Sequence, residues 1–390
     1  MPVSPAQSRE ARAPKPSSRC AALYSPTRFI CREAELGRGV GANCLETDKV
    51  RLITFRHQGR EEIGTLVDRD SRVIRLQMAE QLRRGQPDPQ FGSMLAFLQG
   101  GPAARDTAHA AVDFAEAQHP DGVLLELSKV ELLSPVPRPE SIREFMVFEQ
   151  HVINCLRKFQ MPHWLGALDE WVDGTLGRKA TQAYRLNRPW YERPIYYKGN
   201  RMSVVGDGAR VKMPSYTNRF DWELEFGVFL CKTGRDIPKE KAGDYIGGYT
   251  VFNDFSARDI QGREMAGRLG PAKGKDFDGG NALGPALVTP DEIPDPYNLA
   301  MRARIDGQEV SRGHTKGMYW TFEQMIAYVS QSETLYPGEF FGSGTGTVPE
   351  SGRDRRCCGL EMGRFLKAGE KIELEVERIG TLTNYIVGQG

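Results

Sequence analysis

The most constraining feature of this sequence is the series of short β-rich segments that fills its second half. Beyond residue 190 only TFEQMIAYVSQ has a helical pattern, and Asp306–Gly307 and Ile379–Gly380 are typical of hairpin turns. The β-rich segments are PIYYKGN, MSVVGDGARVKMP, ELEFGVFL, GGYTVFND, ALVTP, MRARIDGQEVSR and KIELEVERIGTLTNYIVG. Because strands do not alternate with helices, the sequence argues against a doubly wound sheet and predicts a β-rich α+β fold.

The rest of the chain suggests three consecutive parts. Residues 1–48 are rich in Pro, Ser and Ala, with too few apolar residues to offset the entropy of ordering, so we expect a disordered extension. Residues 49–136 combine a β-meander (RLITFRH, EEIGTLVD, RVIRLQ) with helical segments and a Pro-rich end, which predicts a small α+β domain and linker. Residues 137–390 are then the main domain.

The segment SIREFMVFEQHVINCLRKFQ, which opens the main domain, has a helical pattern. Ser141 and Glu144 have the spacing of a capping box. An apolar stripe with a period of 3.6 residues follows: Phe145, Phe148, Val152 and Leu156. The pattern predicts one helix over the whole segment.

Composition excludes several classes of function. A net charge of +1 in 390 residues provides no field for nucleic acid or an anionic membrane, and no apolar run is long enough to cross a bilayer. The seven cysteines form no C-x-x-C pair, which indicates reduced thiols in a cytosol-like compartment. Up to residue 32, Arg and Lys outnumber Asp and Glu, as in a mitochondrial transit peptide. A disordered extension, or a start codon placed too far upstream, is the simpler interpretation of these residues. Together with the reduced thiols, this interpretation predicts a cytoplasmic protein.

The segment DWELEF, residues 221–226, alternates three acidic residues with three large apolar ones. In a strand its acidic residues share one face: Asp221, Glu223 and Glu225. Adjacent carboxylates repel each other, and a hard divalent cation removes the penalty. The alternative is a solvated outer face whose acids pair with Arg or Lys. The sequence pattern by itself favours this alternative over a cation site.

Other segments provide further polar groups. Asp254 ends the strand GGYTVFND, Arg258 and Gln261 follow on a turn or helix start, and LGPAKGKDFDGG is a Gly-rich loop with Lys275. This loop lacks the G-K-S/T ending of a nucleotide-binding loop, and a plain surface loop is the alternative. His151 lies beside the apolar stripe, where a structural histidine is the commoner case; a general base needs a partner that orients it, and Glu361 is a candidate.

Six motifs in this order are together similar to the fumarylacetoacetate hydrolase family: FEQHV, DWELEF, NDFSARDIQ, GPAKGKDFDGG, GSGTGTV and GLEMGRFLKAGE. The resemblance covers roughly residues 50 to 390. It implies a C-terminal domain with a mixed β-sandwich roll, a smaller N-terminal domain, a homodimer and a Mg²⁺-, Mn²⁺- or Ca²⁺-dependent site.

The resemblance also implies roles for individual residues. Those matched to the metal ligands are Glu223, Glu225 and Asp254, with Glu144 left open because the family usually has the shorter Asp there. His151 matches the base that activates water and Glu361 its partner, while Lys275 matches the group that stabilises the anion. The residues matched to substrate contacts are Arg258, Gln261, Tyr197 and Thr345, with Thr347 as an alternative to Thr345.

Two departures concern the substrate and the base. Met146 and Gln160 stand where the eponymous enzyme has a tyrosine and an arginine, so the substrate need not be fumarylacetoacetate. The charged insertion PESGRDRR precedes CCGLE and could displace Glu361 from His151. The function implied is metal-dependent hydrolysis of a C–C bond in an acylpyruvate-type oxo acid. Alternatives on the same site are decarboxylation, isomerisation or dehydration of a related acid, and a further alternative is a non-catalytic metal-binding scaffold.

Overall fold

A mixed sheet of twelve strands runs through the fold and carries the candidate site at one end of its inner strands. The computed structural model describes residues 50–68, 70–347 and 357–389. The predicted extension 1–48 and the insertion PESGRDRR lie outside these residues. The strands are β1 (Arg51–His57), β2 (Arg60–Val67), β3 (Arg72–Arg75), β4 (Leu124–Glu126), β5 (Glu131–Leu132), β6 (Ile142–Phe145), β7 (Tyr196–Gly199), β8 (Val204–Val205), β9 (Arg210–Lys212), β10 (Phe220–Asp221), β11 (Leu224–Leu230), β12 (Ile246–Asp254), β13 (Ser256–Ala257), β14 (Asn281–Val288), β15 (Ala300–Ile305), β16 (Gln308–His314), β17 (Phe340–Gly342), β18 (Lys371–Val376) and β19 (Gly380–Val387).

Helices occupy the connections between these strands. They are α1 (Leu76–Arg84), α2 (Met94–Gln118), α3 (Glu149–Phe159), α4 (His163–Leu176), α5 (Gln182–Leu186), α6 (Lys239–Ala242), α7 (Arg258–Ala266), α8 (Phe322–Val329) and α9 (Gly359–Met362). The predicted helix TFEQMIAYVSQ is α8, and its Thr321 and Gln324 form a capping box. Among the described helices, none is long and apolar enough to span a bilayer.

The large sheet has the order β4-β3-β2-β1-β14-β12-β11-β17-β6-β7, with β5 beside β1 and β8 beside β14. A five-stranded sheet, β16-β15-β18-β19-β9, packs against it, and one apolar cluster draws residues from both sheets, including Phe226, Val251, Met301 and Leu374. The α+β class with a β-sandwich roll is therefore confirmed.

The meander predicted near the start of the chain is β1–β2–β3. Gln58 and Gly59, both with positive φ, form the tight turn between β1 and β2. β1 also pairs with β14, so these strands extend the large sheet on the side away from β6. The domain boundary near residue 136 stays a prediction.

The single helix predicted over residues 141–160 is wrong in its first half. Ile142–Phe145 is strand β6, parallel to β17 and antiparallel to β7, and α3 begins only at Glu149. Phe145 and Phe148 are buried in both the predicted and the observed arrangement, so the apolar period could not distinguish a helix from a strand in this segment. Pairing with two neighbouring strands decides the outcome.

Candidate active site

The register of the sheet brings the predicted acidic residues together at one end of its inner strands. Leu224, at the start of β11, pairs with Asn253 near the end of β12. At the same end, Gly342 on β17 pairs with Gly227 on β11 and with Glu144 on β6. The carboxyl end of β12 therefore lies beside the start of β11 and the ends of β17 and β6.

DWELEF is not one continuous strand with a solvated face. β10 ends at Asp221, and β11 begins at Leu224. The acidic side chains are as buried as the apolar ones: Asp221 is 0%, Glu223 6% and Glu225 1% exposed. The interpretation of the acidic face as a solvated outer surface is therefore wrong, because its side chains are buried in a polar centre inside the protein.

Three carboxylates converge in this centre. One oxygen each of Glu144, Glu225 and Asp254 lies within 4.8 Å of the others. The Gly344 N–H donates to Glu144 Oε1 (2.7 Å) and to Glu225 Oε2 (3.0 Å). Glu144 Oε2 is buried, and among the described residues no hydrogen-bond donor reaches it. A Cβ atom on Gly342 would lie 1.7 Å from this oxygen, so Glu144 occupies the space that a side chain at position 342 would need.

Burial and mutual repulsion shift the pKa values of these three acids upward. Burial is the largest cause at Glu144, followed by the charge of Glu225, and the pKa lies well above its usual range. At Glu225 burial and then the charge of Glu223 have the same effect on the pKa. Burial raises the pKa of Asp254 to about 6 although Lys275 opposes the shift. Free acids at this spacing repel each other, and positive charge placed among them would relieve the repulsion.

Glu223 lies between two buried cations rather than within this cluster. Its Oε1 accepts from Arg258 Nη2 (2.8 Å) and Thr345 Oγ1 (2.9 Å), and its Oε2 accepts from Lys275 Nζ (2.6 Å). Lys275 also donates to Asp254 Oδ2 (2.6 Å). Burial raises the pKa of Glu223, but Arg258 and Lys275 outweigh it and lower the pKa well below its usual range.

The predicted base and its partner are in contact. His151 Nδ1 lies 2.9 Å from Glu361 Oε1, and both residues are buried. Glu361 Oε1 also accepts from Asn154 Nδ2 (3.2 Å). Burial lowers the pKa of His151, but contacts with Cys155 and Glu361 raise it well above its usual value. The insertion before CCGLE thus leaves the contact between Glu361 and His151 intact.

Asp221, which sequence reasoning did not include among the site residues, fixes the segment that carries Glu361. It accepts from the N–H groups of Gly359 (2.7 Å) and Leu360 (2.8 Å) and from Arg258 Nε (2.7 Å). A Cβ atom on Gly359 would lie 2.4 Å from Asp221 Oδ1. In the sequence, only the alternating acids of DWELEF single out Asp221. Its partner Gly359 lies 138 residues away, so no local pattern predicts the contact between them.

The remaining predicted residues surround the same centre. Tyr197 donates its hydroxyl to Asp254 Oδ2 (2.5 Å), and Gln261 accepts from Arg258 Nη1 (2.9 Å). Thr345 Oγ1 donates to Glu223 Oε1 (2.9 Å), while the described contact of Thr347 is that of its carbonyl, which accepts from the His314 N–H. The residues matched to the metal, the base and the substrate are therefore all adjacent, but their individual roles stay predictions.

A buried histidine held by a carboxylate beside three buried acids is an arrangement suited to proton transfer in an enzyme. A family model described as "Fumarylacetoacetate (FAA) hydrolase C-terminal" matches residues 173–387. An oxaloacetate tautomerase from Xenopus laevis, named as mitochondrial, is 33% identical over 294 residues, which are 75% of this chain and 78% of that protein. The chain belongs to the fumarylacetoacetate hydrolase family.

Solved structures share the fold. A fumarylacetoacetate hydrolase from Exiguobacterium antarcticum matches with a TM-score of 0.61 and 20% identity, over 87% of this chain and 100% of that one. A maleylpyruvate hydrolase from Sphingobium sp. SYK-6, in complex with manganese(II) and pyruvate, matches with a TM-score of 0.60 and 17% identity over the same shares. At these identities the similarity extends to the fold alone.

Proposed function

We propose that this protein is a divalent-metal-dependent hydrolase that cleaves a C–C bond in an acylpyruvate-type oxo acid. The contact between His151 Nδ1 and Glu361 Oε1, next to the buried acids, is the observation that carries the proposal. Hydrolysis requires an oriented base that can remove a proton from water, and a metal-binding scaffold does not.

The donor atoms fit a hard divalent cation. The cluster of Glu144, Glu225 and Asp254 offers carboxylate oxygens, which Mg²⁺, Mn²⁺ and Ca²⁺ prefer, and Glu144 Oε2 has no described hydrogen-bond donor. Glu223, which the resemblance also matches to a ligand, is adjacent and would neutralise part of the ion's charge. When bound, the cation would act as a Lewis acid that polarises a carbonyl group of the oxo acid. We take Mg²⁺ as the first candidate.

His151 provides the proton transfer. Because Nδ1 is held by Glu361, Nε2 is the nitrogen that would accept a proton from water. The resulting imidazolium is stabilised by the Glu361 carboxylate, and the same proton is available for the leaving carbon. In the structure the pKa of His151 is raised, so positive charge in the acid cluster would help to keep the imidazole neutral.

Lys275 and Arg258 provide fixed positive charge. Both are buried, and each contacts Glu223. C–C cleavage leaves an electron pair on carbon that delocalises into the adjacent carbonyl as an enolate, and preorganised cations stabilise such an anion. Gln261, Tyr197 and Thr345 lie around the same centre, where we assign them to substrate binding.

A second candidate is the tautomerisation of a 2-oxo acid such as oxaloacetate. The curated relatives favour it, since the Xenopus laevis protein and a human relative, 32% identical over 295 residues, are both named oxaloacetate tautomerases. Tautomerisation moves a proton between carbon and oxygen on the same enolate, so it needs His151 but no attacking water. Decarboxylation, isomerisation and dehydration would share this anion.

One experiment separates these activities. Purified protein is treated with EDTA and assayed with Mg²⁺ or Mn²⁺ on a panel of acylpyruvates, by loss of diketone absorbance, and on oxaloacetate, by enol absorbance and pyruvate release. Metal-dependent release of pyruvate and a carboxylic acid from an acylpyruvate supports hydrolysis. Enol–keto exchange of oxaloacetate without C–C cleavage of any substrate would instead establish the tautomerase.

Two further proposals concern assembly and location. The resemblance implies a homodimer, which light scattering of the purified chain tests directly. The mitochondrial relatives favour the transit-peptide interpretation of the Arg-rich residues 1–32. A reporter fused to residues 1–48 tests this interpretation: import into mitochondria supports it, and cytoplasmic fluorescence supports the extension predicted above.

A further inference from the structure

A chain of polar side chains leads from a half-buried arginine to the proposed base. Asn154 Nδ2 donates to Glu361 Oε1 (3.2 Å), and Asn154 Oδ1 accepts from Gln150 Nε2 (2.7 Å). Gln150 Oε1 in turn accepts from Arg178 Nη2 (3.0 Å). Because Glu361 Oε1 also contacts His151 Nδ1, these hydrogen bonds form one continuous chain that ends at the base.

The two ends of this chain fix the direction of every hydrogen bond in it. A guanidinium group can only donate hydrogen bonds, and a carboxylate can only accept them. Gln150 must therefore present its oxygen to Arg178 and its nitrogen to Asn154. Asn154 must likewise present its nitrogen to Glu361. If either amide turned over, two donors or two acceptors would face each other, so each amide has one favourable orientation.

We propose that Asn154, Gln150 and Arg178 are positioning residues that hold Glu361 in contact with His151. Asn154 acts directly, because its side-chain N–H and His151 Nδ1 meet at the same oxygen of Glu361. Gln150, one turn earlier on α3, fixes the amide of Asn154, and Arg178 fixes the amide of Gln150. The catalytic consequence rests on the proposed function, since it concerns the same proton transfer.

The far end of the chain is fixed as well. Arg178 Nε lies 2.7 Å from Asp173 Oδ2, which also accepts from Arg157 Nη2 (2.9 Å). Asp173 is on α4 and Arg157 is on α3, so Arg178 is held by a group of charges that joins the two helices. Because Arg178 is already ordered by these contacts, little further side-chain entropy is lost when it orders Gln150.

The first test follows the Nδ1 proton of His151 in the full chain with saturating Mg²⁺ and no substrate. A proton shared with a carboxylate gives a downfield signal in the proton NMR spectrum, and its loss in His151→Gln assigns it. Asn154→Leu removes one of the described donors to Glu361, so the contact should open more often and the proton should exchange with water about tenfold faster or more. Asn298→Leu makes the same change at an exposed position and should leave the exchange rate unchanged. Wild-type protein without such a signal, or an exchange rate that Asn154→Leu does not change, would overturn the proposal.

The second test is a double-mutant cycle on kcat, which shows whether Asn154 acts through Glu361. Asn154→Leu should lower kcat about 10- to 100-fold and change KM little. Asn154→Asp has the same shape but presents an oxygen to Glu361, so its loss should be at least as large. In a Glu361→Gln background, Asn154→Leu should have no further effect. Losses that add in full would show that Asn154 acts elsewhere in the fold and refute its role.

The more distant members of the chain provide a graded comparison. Gln150→Met and Arg178→Met should have progressively smaller effects than Asn154→Leu on the exchange rate and on kcat. A larger effect of Arg178→Met would assign the result to the packing of α4 and contradict the chain. The exchange test needs no turnover. If Asn154→Leu accelerates exchange while Glu361→Gln keeps full kcat, the positioning is supported and the proposed catalytic role of the pair fails.

Discussion

Glu361 Oε1 lies 2.9 Å from His151 Nδ1 although 210 residues separate them in the chain. The contact is fixed from both sides. Glu361 Oε2 accepts from the Cys357 N–H (2.9 Å), and Lys158, one turn after Asn154 on α3, donates to the carbonyls of Leu360 and Glu361. The helix that carries His151 and the segment that carries Glu361 are therefore held together by several hydrogen bonds, which is the geometry that the proposed proton transfer requires.

Glu361→Gln should lower kcat about 100-fold or more and change KM little, because the amide can still contact Nδ1 but cannot stabilise an imidazolium. Steady-state kinetics on the substrate found in the panel measures both constants. Glu370→Gln, which removes an ion pair with Arg364 nearby in the chain, is the control and should be near wild type. A Glu361→Gln enzyme with an unchanged kcat would mean that the pair has no catalytic role.

Lys275→Met should lower kcat by about 100- to 1,000-fold, the usual loss when one preorganised donor to a developing anion is removed. The neighbouring Lys273→Met is the matched control, since Lys273 is on the same loop and is exposed, and its ammonium group donates to the Asp276 carbonyl and lies over the Tyr216 ring. The comparison is made as kcat at saturating metal. Equal losses in both variants would assign the effect to the loop and not to the buried ammonium group.

Much of this arrangement was predictable because it depends on local patterns. The meander β1–β3, helix α8 and the Asp306–Gly307 hairpin follow from residue period and turn chemistry within a few residues. The motifs also predicted which side chains meet at the site. Strand β6 was missed because only its pairing with β17 and β7 distinguishes Ile142–Phe145 from the first turn of a helix.

The hydrogen-bonding role of Asp221 was beyond sequence reasoning for a different reason. Its partners are backbone N–H groups of Gly359 and Leu360, which any residue except proline provides, so no side-chain pattern marks them. Which of Glu144 and Glu223 lies in the acid cluster also depends on contacts that only the three-dimensional structure shows. Glu144 reaches the acid cluster because Gly342 leaves space, while Arg258 and Lys275 engage Glu223.

Glu144→Gln should have opposite effects on stability with and without metal. Without metal the substitution removes a buried carboxylate that is repelled by Glu225, so the Tm in EDTA should rise. With Mg²⁺ or Mn²⁺ the stabilisation by bound ligand should shrink, because an amide is a poorer ligand for a hard cation. Thermal melts with a metal titration measure both effects.

Glu240→Gln, at an exposed position on α6, is the control for that experiment and should leave the metal-induced shift in Tm unchanged. Isothermal titration of Mn²⁺ provides an independent value for the affinity. If Glu144→Gln binds Mn²⁺ as tightly as wild type, Glu144 is not a ligand, and the assignment reverts to Glu223, Glu225 and Asp254.

Asp207 provides a test of stability against pH at a distance from the acid cluster. Its carboxylate accepts from the Thr383 N–H (2.6 Å), but burial raises its pKa from 3.8 to about 6. A raised pKa means that the folded state holds the proton more tightly than the unfolded state. The stabilisation by that proton is complete below pH 3.8 and is lost as the pH rises through 6, so above pH 6 the buried charge destabilises the fold.

Asp207→Asn should therefore stabilise the protein above pH 6, by up to about 3 kcal/mol, because each pKa unit corresponds to about 1.4 kcal/mol. The gain should decrease as the pH falls from 6 towards 3.8, since the wild-type carboxyl group is then neutral in the folded state. Denaturant unfolding at pH 5 and pH 8 measures the difference. Asp306→Asn, an exposed turn residue that also accepts a backbone N–H, from Lys371, is the control. A gain that is the same at both pH values would show that hydrogen bonding, and not the buried charge of Asp207, determines the effect.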